Sequence, residues 1–328
     1  MSTCATVSLE LDEPVAGTAA MATTWLLLEQ PGPWGANALL SSHLDPAVGR
    51  ALERAAKGTG VRVALIRRPG RHADCGTPQT RRVYAAHTVP GRTWVRAAVT
   101  DDSALLLALD LAALGRGDHR SFDAVLGGVP HTGHPLALVC TNGKRDRCCA
   151  LLGRPLAAEL AASGAEGVWE VTHLGGHRFA PTLLVLPYGY AYGRVRAHTA
   201  GEILHRVREG RISLRDCRGR SAWELPGQAA ELAVRAATGE DRADALRVVR
   251  VVEVVRDARD PQDARTDGAA PRWEVTVAHA DGRHWQVEVA QGAARPPRRE
   301  SCGASVLGTP ARMDVVAVRE PAVQGALA

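Results

Sequence analysis

The chain has 328 residues, 45% of them hydrophobic and only 4% aromatic, with 40 basic and 35 acidic side chains. That length allows two or three domains, and the apolar content excludes a disordered chain while leaving Ala, Val and Leu to build the core. The formal charge of +5 is a weak excess, with no basic block interleaved with aromatics, so a nucleic-acid partner is not expected.

In chain order, residues 1–20 lack the basic start and apolar run of a signal peptide. The longest apolar stretch, 104–114, is interrupted by Asp110 and too short to span a bilayer. A cytoplasmic protein without a membrane partner is therefore expected. The first half reads as a strand over 24–29, a helix over 46–57, strands over 61–67, 82–87 and 94–99, and a helix over 103–114. The second half reads as a strand over 135–140, a helix over 150–162, strands over 168–172, 182–186 and 190–196, and a helix over 199–209.

Each half is thus β-α-β-β-(β)-α, the thioredoxin arrangement. The expected fold is α/β, with two thioredoxin-like lobes forming a duplicated pair; one larger α/β domain is the alternative. Beyond residue 214 the pattern changes. A helix is expected over 226–238, a valine-rich strand over 248–255, a polar loop over 256–270, and a hairpin of 273–279 and 284–290 around Ala280-Asp281-Gly282. This gives three regions: an N-terminal lobe (1–132), a second lobe (133–213) and a small α+β C-terminal region (214–328), with a loose end from about 320.

Seven cysteines stand at positions 4, 75, 140, 148, 149, 217 and 302. An odd number without an export signal argues against a disulfide framework. Three of them crowd into Cys140-Thr-Asn-Gly-Lys-Arg-Asp-Arg-Cys148-Cys149. Cys140 ends a strand and Cys149 opens a helix, where the helix dipole favours a thiolate. The run His173-Leu-Gly-Gly-His177 follows the next strand, and its glycines favour a loop over a helix. In a thioredoxin topology these loops open at one sheet edge. That makes a Cys2His2 set suited to zinc or a [2Fe–2S] cluster; the bland reading is scattered core cysteines and capping histidines.

The segments Arg145-Asp146-Arg147-Cys148-Cys149 and Val171-Thr172-His173-Leu174-Gly175-Gly176-His177-Arg178-Phe179-Ala180 resemble the sucrase/ferredoxin-like family of thioredoxin-like ferredoxins. Gln30-Pro31-Gly32-Pro33-Trp34-Gly35 is similar to the bacterial N-terminal region of that family. The resemblance covers most of residues 1–240. It implies a [2Fe–2S] cluster on Cys140, Cys149, His173 and His177, and electron transfer with a redox partner protein rather than catalysis. Cys148 stands where the family often has a basic residue, so the second thiol ligand is Cys149 or its neighbour. Imidazole ligands in place of thiolates make reduction easier, and their outer nitrogens can couple it to protons.

Other residues receive plainer readings. Lys144, Arg145, Arg147 and Arg178 are solvated loop charges or a guide for an acidic redox partner. Cys4, Cys75, Cys217 and Cys302 read as plain thiols, and Cys148-Cys149 as an alternative vicinal pair. His131 and His134 read as caps. The loop 30–35 mirrors the cysteine loop in the first lobe, with Trp34 a cover for the cluster, and 67–72 mirrors the histidine loop. A thiol-redox enzyme and a binding protein with structural zinc are the rival functions.

Overall fold

The computed structural model describes residues 2–70, 80–254 and 270–320. Helix α1 (Cys4–Glu10) precedes strand β1 (Thr24–Glu29), α2 (Pro46–Ala56), β2 (Val61–Arg67), β3 (Arg81–His87), β4 (Trp94–Thr100), α3 (Leu111–Gly115), α4 (Arg120–Leu126) and β5 (Val129–Pro130). The second half contains β6 (Leu136–Cys140), α5 (Arg147–Ala162), β7 (Val168–Val171), β8 (Leu183–Leu186), β9 (Tyr190–Tyr192), α6 (Ala197–Arg208) and β10 (Cys217–Arg220). Then come α7 (Leu225–Thr238), β11 (Leu246–Glu253), β12 (Arg272–His279), β13 (His284–Ala293) and β14 (Ala311–Arg319).

The chain is a mixed α/β protein with two sheets. The larger has ten strands in the order β10-β9-β8-β6-β7-β2-β1-β3-β4-β5, and the smaller runs β11-β12-β13-β14. In the first half β1 lies between parallel β2 and antiparallel β3. In the second half β6 lies between parallel β7 and antiparallel β8. β1, β6, β7 and β8 are buried at nearly every residue, as central strands covered on both faces must be.

Three apolar cores follow. One fills the first half around Leu26, Leu52, Leu65 and Phe122; another fills the second half around Val139, Leu160, Tyr190 and Ile203. A third lies between them and joins Trp25, Leu27 and Ile66 to Leu138, Trp169 and Val171, with Cys140 and Cys149 inside it. Helix α7 covers the small sheet through Ala230 and Val234 against Val248, Val275 and Trp285.

Two elements differ from the sequence expectation. The expected helix over 103–114 is a 3-10 turn at Ser103–Ala108 followed by α3. Asp110 breaks it by taking the Ala113 N–H onto its carboxylate at 2.9 Å, so the helix restarts there. The expected strand over 190–196 stops at Tyr192, and Arg194 takes a positive φ of 54°. The loop expected over 256–270 lies outside the described residues except Ala270, as do Cys75, the last two residues of the 67–72 segment, and the chain after 320.

The two halves of the large sheet meet where β2 and β7 pair antiparallel through Ile66 with Val171 and Arg67 with Glu170. The seam carries a buried ion pair, Arg67 Nη2 to Glu170 Oε2 at 2.7 Å. Thr141 Oγ1 donates to the same carboxylate oxygen at 2.9 Å. Arg67→Ala leaves Glu170 buried without its cation, so we expect a loss of about 3–5 kcal/mol in a denaturant titration. The double substitution Arg67→Met, Glu170→Leu should recover most of that loss, because no uncompensated charge remains.

Candidate metal centre

The cysteine loop leaves the end of β6 and enters α5. Its path is fixed by two buried polar residues. Asn142 Oδ1 accepts the Lys144 and Arg145 N–H groups at 3.2 and 3.3 Å, closing a turn, and Asn142 Nδ2 donates to Gly35 O at 3.0 Å. Asp146 is the N-cap of α5 and accepts the Cys148 N–H at 2.8 Å. Cys140 and Cys149 are thereby brought face to face, 1% exposed each.

The histidine loop follows β7. Thr172 continues beside β2, its N–H donating to Leu65 O at 3.0 Å and its Oγ1 accepting the Leu65 N–H at 3.2 Å. Arg62 Nη2 donates to His173 O at 2.9 Å. The chain then turns on Gly175 and Gly176, at φ +76° and +67°. Gly176 is doubly constrained: a Cβ there would lie 2.2 Å from Arg218 Nη2. Arg218 in turn donates to Gly175 O at 3.0 Å.

Of the four expected ligands, Cys140, Cys149 and His173 have ligating atoms within 4.8 Å of one another. His177 stands beside them, its ring stacked on that of His173 at 5.7 Å between centroids. Its Nε2 faces Asp146 Oδ2 at 3.7 Å. The Nδ1 atoms of both histidines are buried and without a hydrogen-bond partner, as are few other side-chain atoms among the described residues. Buried polar atoms are normally satisfied, so two orphaned imidazole nitrogens beside two thiols are what a metal-bearing group would occupy. The donor set fits such a group.

The electrostatics agree. The Cys140 thiol is held well below the ordinary range by a hydrogen bond from Cys149, with His173 adding to it against the opposing effect of burial. Cys149, donating to that sulfur and buried, is pushed up. Burial lowers both arginines beside the site, half-buried Arg62 and buried Arg218, the latter to about 10.

A second group escaped the sequence reading. Cys4, Asp146, Cys148 and Cys302 also have ligating atoms within 4.8 Å. The Cys148 Sγ lies 3.5 Å from Cys4 Sγ and 3.1 Å from Cys302 Sγ, and Cys302 Sγ is 3.5 Å from Cys4 Sγ. Asp146 Oδ2 accepts the Cys302 N–H at 2.8 Å. A hydrogen bond from Cys4 lowers the Cys148 thiol to about 6. Burial opposes ionisation of Asp146, yet the Cys302 and Cys148 N–H groups outweigh it and hold the carboxyl below its usual range. Cys4 and Cys302 read as plain thiols because sequence separation hid their convergence; the one available signal was Cys148, which the first group does not use. Cys148 and Cys149 face different groups, and no disulfide joins the described cysteines.

Other expectations fare as follows. Cys217 is a core thiol, pushed up to about 12 by burial. His131 Nε2 donates to His134 O at 3.0 Å. Trp34 packs into the first half's core; Gly35 makes the contact to the cysteine loop. Arg178 is paired with Glu13 at 2.8 Å, while Lys144, Arg145 and Arg147 are exposed.

The framework and its thiol, imidazole and carboxylate clusters define a mixed α/β protein able to hold metal. The model of the sucrase/ferredoxin-like family matches residues 15–219, and the chain belongs to that family. Neither a curated protein nor a solved structure matches the chain at a significant level. No helix among the described residues is long and apolar enough to cross a membrane.

Gly176→Ala tests the histidine loop. The left-handed backbone costs about 1–3 kcal/mol for a residue with a side chain, and Arg218 must also move. We expect a lower thermal midpoint and lost metal content; Gly201→Ala, in the middle of α6 with open space around its Cβ position, should raise the midpoint or leave it unchanged.

Proposed function

We propose that this chain is an electron-transfer protein, a carrier rather than an enzyme, whose Cys140, Cys149, His173 and His177 hold a [2Fe–2S] cluster. One observation carries the reading: two facing thiols, Cys140 and Cys149, lie beside two histidines whose Nδ1 atoms are buried without partners. When bound, such a cluster accepts and releases one electron at a time.

The residues around it suit that task. Two neutral imidazoles in place of thiolates leave the oxidised centre less negative, so reduction is easier. The guanidinium groups of half-buried Arg62 and buried Arg218 favour the negative charge that reduction adds. Exposed Lys144, Arg145 and Arg147 on the cysteine loop suit an acidic redox partner protein. Membership of a family described as ferredoxin-like supports the reading, and a cytoplasmic location agrees with thiols kept reduced.

The framework is read as a duplicated thioredoxin-like pair, residues 1–132 without ligands and 133–213 with the cluster, followed by the α+β region 214–328. Supporting this, each half places a central strand between a parallel and an antiparallel neighbour in the same order. A structural Cys2His2 zinc site is the alternative.

Anaerobic purification decides between them. A red-brown protein containing iron and acid-labile sulfide in equal amounts is expected; a colourless protein with zinc in the Cys140 site would overturn the cluster. Ala substitution of Cys140, Cys149, His173 or His177 should bleach the protein, whereas Cys148→Ala should keep its colour.

Proton coupling is the second expectation. Oxidised metal lowers the pKa of a bound imidazole's outer N–H more than reduced metal does. The midpoint potential should be flat at low pH and fall at about 59 mV per pH unit above the oxidised-state pKa. Protein-film voltammetry from roughly pH 5 to 10 checks this, and a flat line throughout would exclude coupling through an imidazole.

A further inference from the structure

We infer that Cys4, Cys148 and Cys302, with Asp146 as fourth donor, form a second metal site that takes one zinc-like divalent ion, separate from the Cys140 site. The inference does not depend on what the Cys140 site holds.

The three thiols come from chain positions as much as 298 residues apart, on α1, the first turn of α5 and the loop before β14. Their sulfurs form a triangle with edges of 3.1, 3.5 and 3.5 Å. A tetrahedral zinc with Zn–S near 2.3 Å requires sulfurs roughly 3.8 Å apart, so a small expansion of the triangle admits a single ion. A group of this size does not suit a multi-iron cluster, whose thiolates sit on different irons. Asp146 lies beyond the triangle, with its oxygens 3.9 and 4.0 Å from Cys4 Sγ. Its two N–H bonds already aim it at this point and keep it ionised.

The thiols pack with Ala5 and Ala180 in a small cluster, and the buried carboxylate of Asp146 is set among them. Next to it opens a cavity of about 530 Å³ lined by Cys4, Arg147, Arg298, Arg299 and Cys302 among others, which gives an ion a way in and supplies positive charge around a donor set of three thiolates and a carboxylate. Soft thiolate donors with a closed four-donor set are those of structural zinc. Binding replaces thiol protons by the ion: Zn²⁺ enters, and the thiols that were protonated release theirs, up to three, with no change of oxidation state. The product is a clip that ties the start of the chain and the 294–310 loop to the N-terminus of α5.

The test uses the full chain, purified anaerobically with a thiol-free reductant and supplied with Zn²⁺ alone, followed by elemental analysis and zinc X-ray absorption. Expected, over and above whatever metal the Cys140 site holds, is one zinc with three sulfurs and one oxygen, and loss of that one zinc in Cys4→Ser and Cys302→Ser while the metal content of the Cys140 site stays unchanged. Cys217→Ser should keep the zinc. Chelation should lower the thermal midpoint of the wild-type chain, and Zn²⁺ should restore it, but neither should move Cys302→Ser. Unchanged zinc in both variants would overturn the site, as would a zinc-free wild-type chain after Zn²⁺ supply or a Cys148–Cys302 disulfide in the fresh protein. If the Ser variants do not fold, the wild-type metal count and the sulfur and oxygen shell decide alone.

Discussion

Both thiol groups depend on one buried carboxylate. Asp146 caps α5, takes the N–H of Cys148 and of Cys302, and faces His177. A helix start fixed this way also fixes where successive side chains point. Consecutive residues on a helix project roughly 100° apart, so Cys149 turns inward to Cys140 while Cys148 turns to Cys4 and Cys302. Two adjacent cysteines thus serve different neighbourhoods without competing. The same geometry explains why the pair is no vicinal disulfide.

The half of the sheet without the cysteine and histidine loops is not a bystander. Its strand β2 holds the histidine loop directly, through Leu65 backbone bonds to Thr172 and the Arg62 bond to His173 O. The Arg67–Glu170 pair then reaches through Thr141 into the cysteine loop. Both the cysteine and the histidine loop are therefore braced from across the seam. Trp34, expected as a cover, instead packs within its own half, and the loop-to-loop contact passes through the Gly35 carbonyl.

Much of this was legible in the sequence, for identifiable reasons. β1, β6 and β8 are short apolar runs between turn residues, and their burial on both faces keeps that signal continuous. The cysteine and histidine loops were legible because a strand end, a helix start and Gly-Gly mark their own local geometry. The failures have the opposite character. Helix 103–114 broke at Asp110, whose carboxylate competes for backbone donors, a contest that hydrophobic periodicity does not register. β10 and β14 are polar or half-exposed and take their identity from pairing with distant partners. Cys4 and Cys302 were unreadable for the same reason: nothing local distinguishes a thiol that packs from one that meets two others across the fold.

Gly153 sets a final condition. A Cβ there would lie 2.1 Å from the Cys140 carbonyl oxygen, so α5 rests on the end of β6 with backbone against backbone. Such a contact leaves no cushion of side chains to absorb drift. The helix and strand move as one piece, and the gap between Cys140 and Cys149 is inherited from the backbone rather than negotiated by rotamers. The lineage of this chain could therefore vary the surrounding side chains widely, provided it kept one position empty.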